Sequence, residues 1–157
     1  MGGRGAWSSR GQTEAESAYK NADNEITYEH LGHLGGFDVL EAEFGEIQTD
    51  EVILTQPQKE HILERHPEVE EYLETHSEQL LQGPDMIVRE LGRKGTVHYV
   101  LSLPNTNLKA IVKLTLADDT PGNKNSIISM QLIRNRSLGS FIEKNKVIYK
   151  KGDVGII

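Results

Sequence analysis

From Met86 onward, apolar and polar residues alternate with a period of two, the signature of half-buried strands. Val97, Tyr99, Leu101 and Leu103 point one way, and Thr96, His98, Val100 and Ser102 the other. Leu108, Ala110, Val112, Leu114 and Leu116 alternate with Lys109, Ile111, Lys113 and Thr115. Ile128, Met130 and Leu132 alternate with Ser129 and Gln131 in a further strand. Gly92-Arg93-Lys94-Gly95 and Pro104-Asn105-Thr106-Asn107 read as turns, and 118–125 as a polar loop. A strand is expected over 86–91, a short helix over 136–144 and a last strand over 147–150.

Upstream the period lengthens. Thr55 is placed to cap a helix that has Pro57 just inside it and ends before Pro67. Pro67 opens a second helix with Val69, Tyr72, Leu73, His76 and Leu80 as its apolar stripe, closed by Gly83-Pro84. Tyr28, Leu31 and Leu34 suggest a short helix stopped by Gly35-Gly36, followed by an extended piece at 37–40 and a strand at 52–54. The expected fold is α+β: two N-terminal helices packed on a four- to five-stranded antiparallel sheet. The domain is expected at 50–157, behind a flexible or loosely structured acidic lead-in at 1–49.

Charge divides the chain. Residues 1–85 carry 5 basic and 19 acidic side chains, and residues 86–157 carry 12 and 5. The net charge of −7 thus hides a basic half that a polyanion would be drawn to. No apolar run approaches the ~18 residues of a membrane span, so no membrane contact is expected. Cysteine is absent, which excludes disulfides, thiolate zinc sites and a cysteine nucleophile.

One face of the expected sheet collects His98, Lys109, Lys113, Ser129 and Gln131, with Arg134 at its edge. Lys109 and Lys113 are four apart on one strand, ~13 Å along it, a spacing for two phosphates. The same face could equally be a solvated polar one. The densest chemical cluster is His61-Ile-Leu-Glu64-Arg65-His66. His61 and His66 stand about 140° apart around a helix and share no face, so no metal site is expected. His61 and Arg65 do share one.

The run Ile53-Leu54-Thr55-Gln56 … His61-Ile62-Leu63-Glu64-Arg65-His66-Pro67-Glu68, with the helix and meander after it, resembles the phage-borne members of the barnase–EndoU–colicin–RelE superfamily. The likeness covers roughly residues 50–151 and ends in Val147-Ile148-Tyr149-Lys150-Lys151. It implies a ribonuclease without metal or other cofactor, toxin-like, that cleaves RNA, tRNA among its candidates. The 2′-hydroxyl attacks the neighbouring phosphate and leaves a cyclic phosphate. His66 or His61 would move the proton. Arg65, Lys113 and Arg134 would stabilise the phosphorane, and Ser129 would orient a phosphate oxygen. His98, Lys109, Gln131, Arg136 and Lys150 would bind the substrate. The resemblance implies action in the cytoplasm of a bacterial host or association with a virion. The other readings are a non-catalytic nucleic-acid-binding version of the fold and a phage structural or interaction module. In the last, the acidic N-terminal half meets a structural or immunity partner.

Overall fold

The computed structural model describes residues 27–152. Its strands are β1 (Tyr28–His33), β2 (Glu51–Thr55), β3 (Met86–Arg89), β4 (Thr96–Ser102), β5 (Asn107–Lys113), β6 (Asn125–Ile133) and β7 (Lys146–Lys150). Its helices are α1 (Phe37–Phe44), α2 (Gln56–Arg65), α3 (Glu70–Thr75), α4 (Ser77–Gln82) and α5 (Asn135–Glu143), with a 3₁₀ turn at Pro67–Val69. The strands form one seven-stranded sheet in the order β1-β2-β6-β5-β4-β3-β7. All neighbours are antiparallel except β2 and β6, which run parallel.

The expected architecture is therefore corrected. The sheet is larger and mixed rather than four- to five-stranded and antiparallel, and two strands and a helix precede the expected pair of helices. Residues 28–49, assigned to a loose lead-in, supply β1 and α1 and bury Leu34, Leu40 and Ile47 in the core. Residues 1–26 of that expected lead-in lie outside the described residues. The two short elements within 28–49 also exchange character. Residues 28–33 are extended because they pair along β2, and tertiary pairing outweighs local preference. Phe37, Leu40 and Phe44 lie at i, i+3 and i+7, one stripe of a helix rather than a strand.

Thr55 caps α2 as expected, its hydroxyl accepting from the Gln58 amide at 3.3 Å. The second helix breaks at His76, although no proline or glycine stands there. Thr75 donates its hydroxyl to the Glu71 carbonyl at 2.9 Å, and Ser77 donates to that of Leu73 at 2.6 Å. Such bonds one turn back compete with the helical ladder and bend it.

The main core lies on one face of the sheet. Val97, Tyr99, Leu108, Ala110, Val112 and Ile127 pack there against Ile62, Val69, Leu73 and Leu80 of the helical segment. Val88, Val100 and Leu138 are buried but stand outside that core. They mark the opposite face, which α5 crosses on its way from β6 to β7.

Gly35 is the tightest point. A Cβ there would lie 2.5 Å from the Leu81 carbonyl oxygen and 2.7 Å from that of Gln82. The Gly35 amide donates to the Leu81 carbonyl, and its own carbonyl accepts from the buried Tyr99 hydroxyl at 2.7 Å. Gly35→Ala is expected to lower stability by about 1–3 kcal/mol, as overpacking does. Urea unfolding measures it, and a change under ~0.5 kcal/mol would show that the backbone yields freely.

Candidate functional site

The second face of the sheet is laid out by strand register. His98 on β4 pairs with Ile111, and Ile111 with Ser129 on β6. Val100 pairs with Lys109, and Lys109 with Gln131. His98 and Lys109 are thus diagonal neighbours on adjacent strands, within reach for long side chains. Val88 pairs with His98, so Glu90, two residues further on, faces the same way at the start of the turn.

These three side chains form a chain of hydrogen bonds. Glu90 Oε1 lies 2.7 Å from His98 Nε2. His98 Nδ1 lies 3.0 Å from Lys109 Nζ. Arg93, in the following turn, forks onto the carboxylate, with Nε on Oε2 at 2.7 Å and Nη2 on Oε1 at 3.0 Å. A lysine ammonium can only donate, so Nδ1 accepts and Nε2–H donates to Glu90, which assigns a neutral imidazole. Phe141 of α5 closes the cluster. Its ring centroid is 4.4 Å from the His98 ring and 4.4 Å from Lys109 Nζ. His98 and Lys109 are both buried.

The electrostatics follow from this geometry. The His98 hydrogen bond, aided by Arg93, draws the Glu90 carboxyl down to about 2. Burial holds the His98 imidazole below its ordinary value, against the pull of Glu90. Burial brings the Lys109 amine down to about 8, against the Glu90 charge, which acts to raise it. An acid, a relay and an amine poised near working pH stand together, a combination that acid–base sites need.

The other expected residues are dispersed. Ser129 and Gln131 do join His98 and Lys109 on one face. Lys113 shares it, but its ammonium turns away to the Leu114 carbonyl at 3.1 Å and to Asp119 at 3.9 Å. The two-phosphate pair expected of Lys109 and Lys113 is therefore not available: one is covered and the other engaged. Arg134 is exposed at the N-cap of α5, Arg136 is exposed within that helix, and Lys150 is exposed on edge strand β7. His61 and Arg65 are exposed on α2, and His66 caps its end with Nδ1 3.5 Å from Glu68. α2 packs on the core face through Ile62, so this cluster stands across the sheet from His98 and Lys109. The sequence pattern alone does not bring Glu90, Arg93 or Phe141 to this site. Folding the hairpin about Gly92–Gly95 would have placed Glu90 on the His98 face.

Among the described residues, no three His, Asp or Glu side chains gather as metal ligands, and no helix is long and apolar enough to cross a membrane. No protein-family model, curated protein or solved structure matches the chain.

Proposed function

We propose that this chain binds RNA over α5 and β7 and cleaves it without metal, by 2′-hydroxyl attack on the adjacent phosphate. This is the activity implied by its resemblance to the phage-borne nucleases. The observation that supports it most is the distribution of uncompensated cations. Lys59, Arg89, Arg93, Lys94, Lys113, Lys124 and Lys146 are all ion-paired. Besides Arg65 on α2, the exposed cations that make no ion pair among the described residues are Arg134, Arg136, Lys144, Lys150 and Lys151. These five belong to the segment that lays Phe141 over the Glu90–His98–Lys109 cluster, so phosphate-binding charge and acid–base chemistry occupy one side of the sheet.

The test is incubation of purified protein with total RNA, tRNA included, in EDTA, with end-group analysis. Cleavage to cyclic phosphates is expected. Cleavage abolished by chelation would reject the metal-free mechanism. A second reading, binding without cleavage, is favoured by one observation: the Lys109 amine is covered by Phe141. RNA retained but uncut in that assay would select it.

Either reading makes the same binding prediction. Arg134→Ala with Arg136→Ala is expected to weaken affinity for any single-stranded RNA by similar factors. The log–log salt slope should fall by about 1.4, at ~0.7 per lost phosphate contact. Fluorescence anisotropy on poly(U) across a salt series reads this. An unchanged slope would move the binding surface away from α5.

A further inference from the structure

We propose that Glu90, His98 and Lys109 form the acid–base centre of this reaction, with the Lys109 amine taking the 2′-hydroxyl proton once Phe141 moves off it. The assignment rests on the nuclease reading above and places its chemistry on the face opposite His61, Arg65 and His66.

The arrangement has the logic of an activated base held by a relay. A base needs an orienting partner that also stabilises the charge it acquires. His98 Nδ1 accepts from Lys109 Nζ at 3.0 Å, and Nε2–H passes the interaction on to Glu90 at 2.7 Å. The ammonium formed by proton transfer is therefore compensated by a carboxylate one imidazole away. Arg93 fixes that carboxylate with two hydrogen bonds and acts as a positioning residue. The groups facing Lys109 are few. The turn gives Glu90 and Arg93, β4 gives His98, β6 gives the uncharged Ser129 and Gln131, and α5 gives the Phe141 ring.

Burial sets the amine near pH 8. About a quarter is then free base at pH 7.5, against about a thousandth for an ordinary lysine. The step balances as follows. The 2′-hydroxyl proton passes to Lys109 Nζ, the O2′–P bond forms and the P–O5′ bond breaks. Water protonates the departing 5′-oxygen, and the hydroxide left behind takes the proton back from Lys109.

α5 holds the cover in place at both ends. Asn107 Nδ2 donates to Asn135 Oδ1 at 2.9 Å, and the Leu91 amide donates to Asn145 Oδ1 at 2.9 Å. Leu138 is the buried anchor between them. Phe141 is only partly buried, and its side chain takes part in neither tie.

The test compares the full-length protein with its Lys109→Arg variant, which keeps a cation over Phe141 but no available base. RNA affinity should stay within about twofold while cleavage falls ~100-fold or more. The wild-type rate should rise with pH through a limb near 8. Glu90→Gln, by removing the charge that raises Lys109, should move that limb to lower pH. Acetylation of Lys109 by acetic anhydride, followed against pH by mass spectrometry, gives its titration in the wild-type protein with no substitution, and decides the matter if a variant does not fold. A transition near 8 supports the assignment, and one at the surface-lysine value of ~10.5 overturns it. Cleavage that survives Lys109→Arg overturns this assignment alone. RNA bound but uncut by wild-type protein at every pH overturns the nuclease reading itself.

Discussion

Glu90→Ala is expected to destabilise the fold by about 3 kcal/mol at pH 7, measured by urea unfolding. The change removes the charged acceptor of the buried His98 Nε2–H and leaves that donor without a partner. It also removes the carboxylate whose charge favours the protonated form of Lys109, buried against Phe141 with the neutral His98 beside it. Arg93 contributes little to the loss, because it is exposed and water replaces its partner. The wild-type protein should show the same interaction as an acid limb. The Glu90 carboxyl sits at about 2 in the fold, against 4.5 as its ordinary value. Its stabilisation is therefore complete above pH 4.5 and is lost as pH falls toward 2. The shift corresponds to ~3 kcal/mol, reduced by solvent at the carboxylate edge to about 2 kcal/mol. Lys109 acts in the other direction. Between about pH 8 and 10.5 the unfolded chain holds a proton that the fold has released, so stability should rise with pH there. Glu90→Gln should flatten the acid limb. A variant as stable as wild type, with the acid limb intact, would show that the cluster is solvated in solution.

The parts of this fold that were legible are those where local pattern and tertiary demand agree. The meander β3 to β6 follows the period-two alternation because one face of each strand packs into the main apolar core, and a slip of one residue would carry that face away from it. The start of α2 follows from Thr55 and Pro57. The second face was legible as a collection of His98, Lys109, Ser129 and Gln131. Its reading as an open polar face was not, because α5 carries Phe141 back across it from 32 residues beyond Lys109. No local signal marks that contact. The same limit applies to the N-terminal elements, where Tyr28, Leu31 and Leu34 fit a helical spacing but residues 28–33 form an edge strand paired with β2. The His61–His66 run is dense in chemistry-bearing side chains and carries the family resemblance. Density along the chain does not give convergence in space, and the sheet separates that run from the buried cluster. The contacts that turn His98 and Lys109 into a candidate acid–base site come from a turn, Glu90 and Arg93, and from a crossover helix, Phe141.

Asn125 shows how much the polar loop conceals. The sequence pattern places it at the end of a loop, yet it is completely buried and begins β6. Its Oδ1 accepts from the Thr115 amide at 2.8 Å, and its Nδ2 donates to the carbonyls of Thr49 at 2.7 Å and Glu51 at 2.8 Å. One side chain thus satisfies three backbone groups drawn from the start of β2, its approach and the segment after β5. It sits in the parallel pair itself, opposite Val52, where the register records only Val52 with Asn125 and Ile53 with Ser126. The strands of the acidic half join those of the basic half at this point. Asn125→Ala is expected to cost about 3 kcal/mol, since each stranded buried group carries a desolvation penalty of roughly 1–3 kcal/mol with partial relief from relaxation or water. Asn125→Asp should be worse at neutral pH, about 4–5 kcal/mol, although it is the smaller change in shape. It keeps the acceptor for Thr115 but aims a carboxylate oxygen at two carbonyls, in a place where an unpaired charge is expensive. Protonation would turn that oxygen back into a donor, so the Asp variant should regain stability as pH falls below its raised carboxyl value. Urea unfolding of both variants at pH 5 and pH 7 tests this. Equal stabilities of the Asp variant at the two pH values, or a loss under 1 kcal/mol in the Ala variant, would mean that water serves these groups and that other contacts hold the two halves of the sheet together.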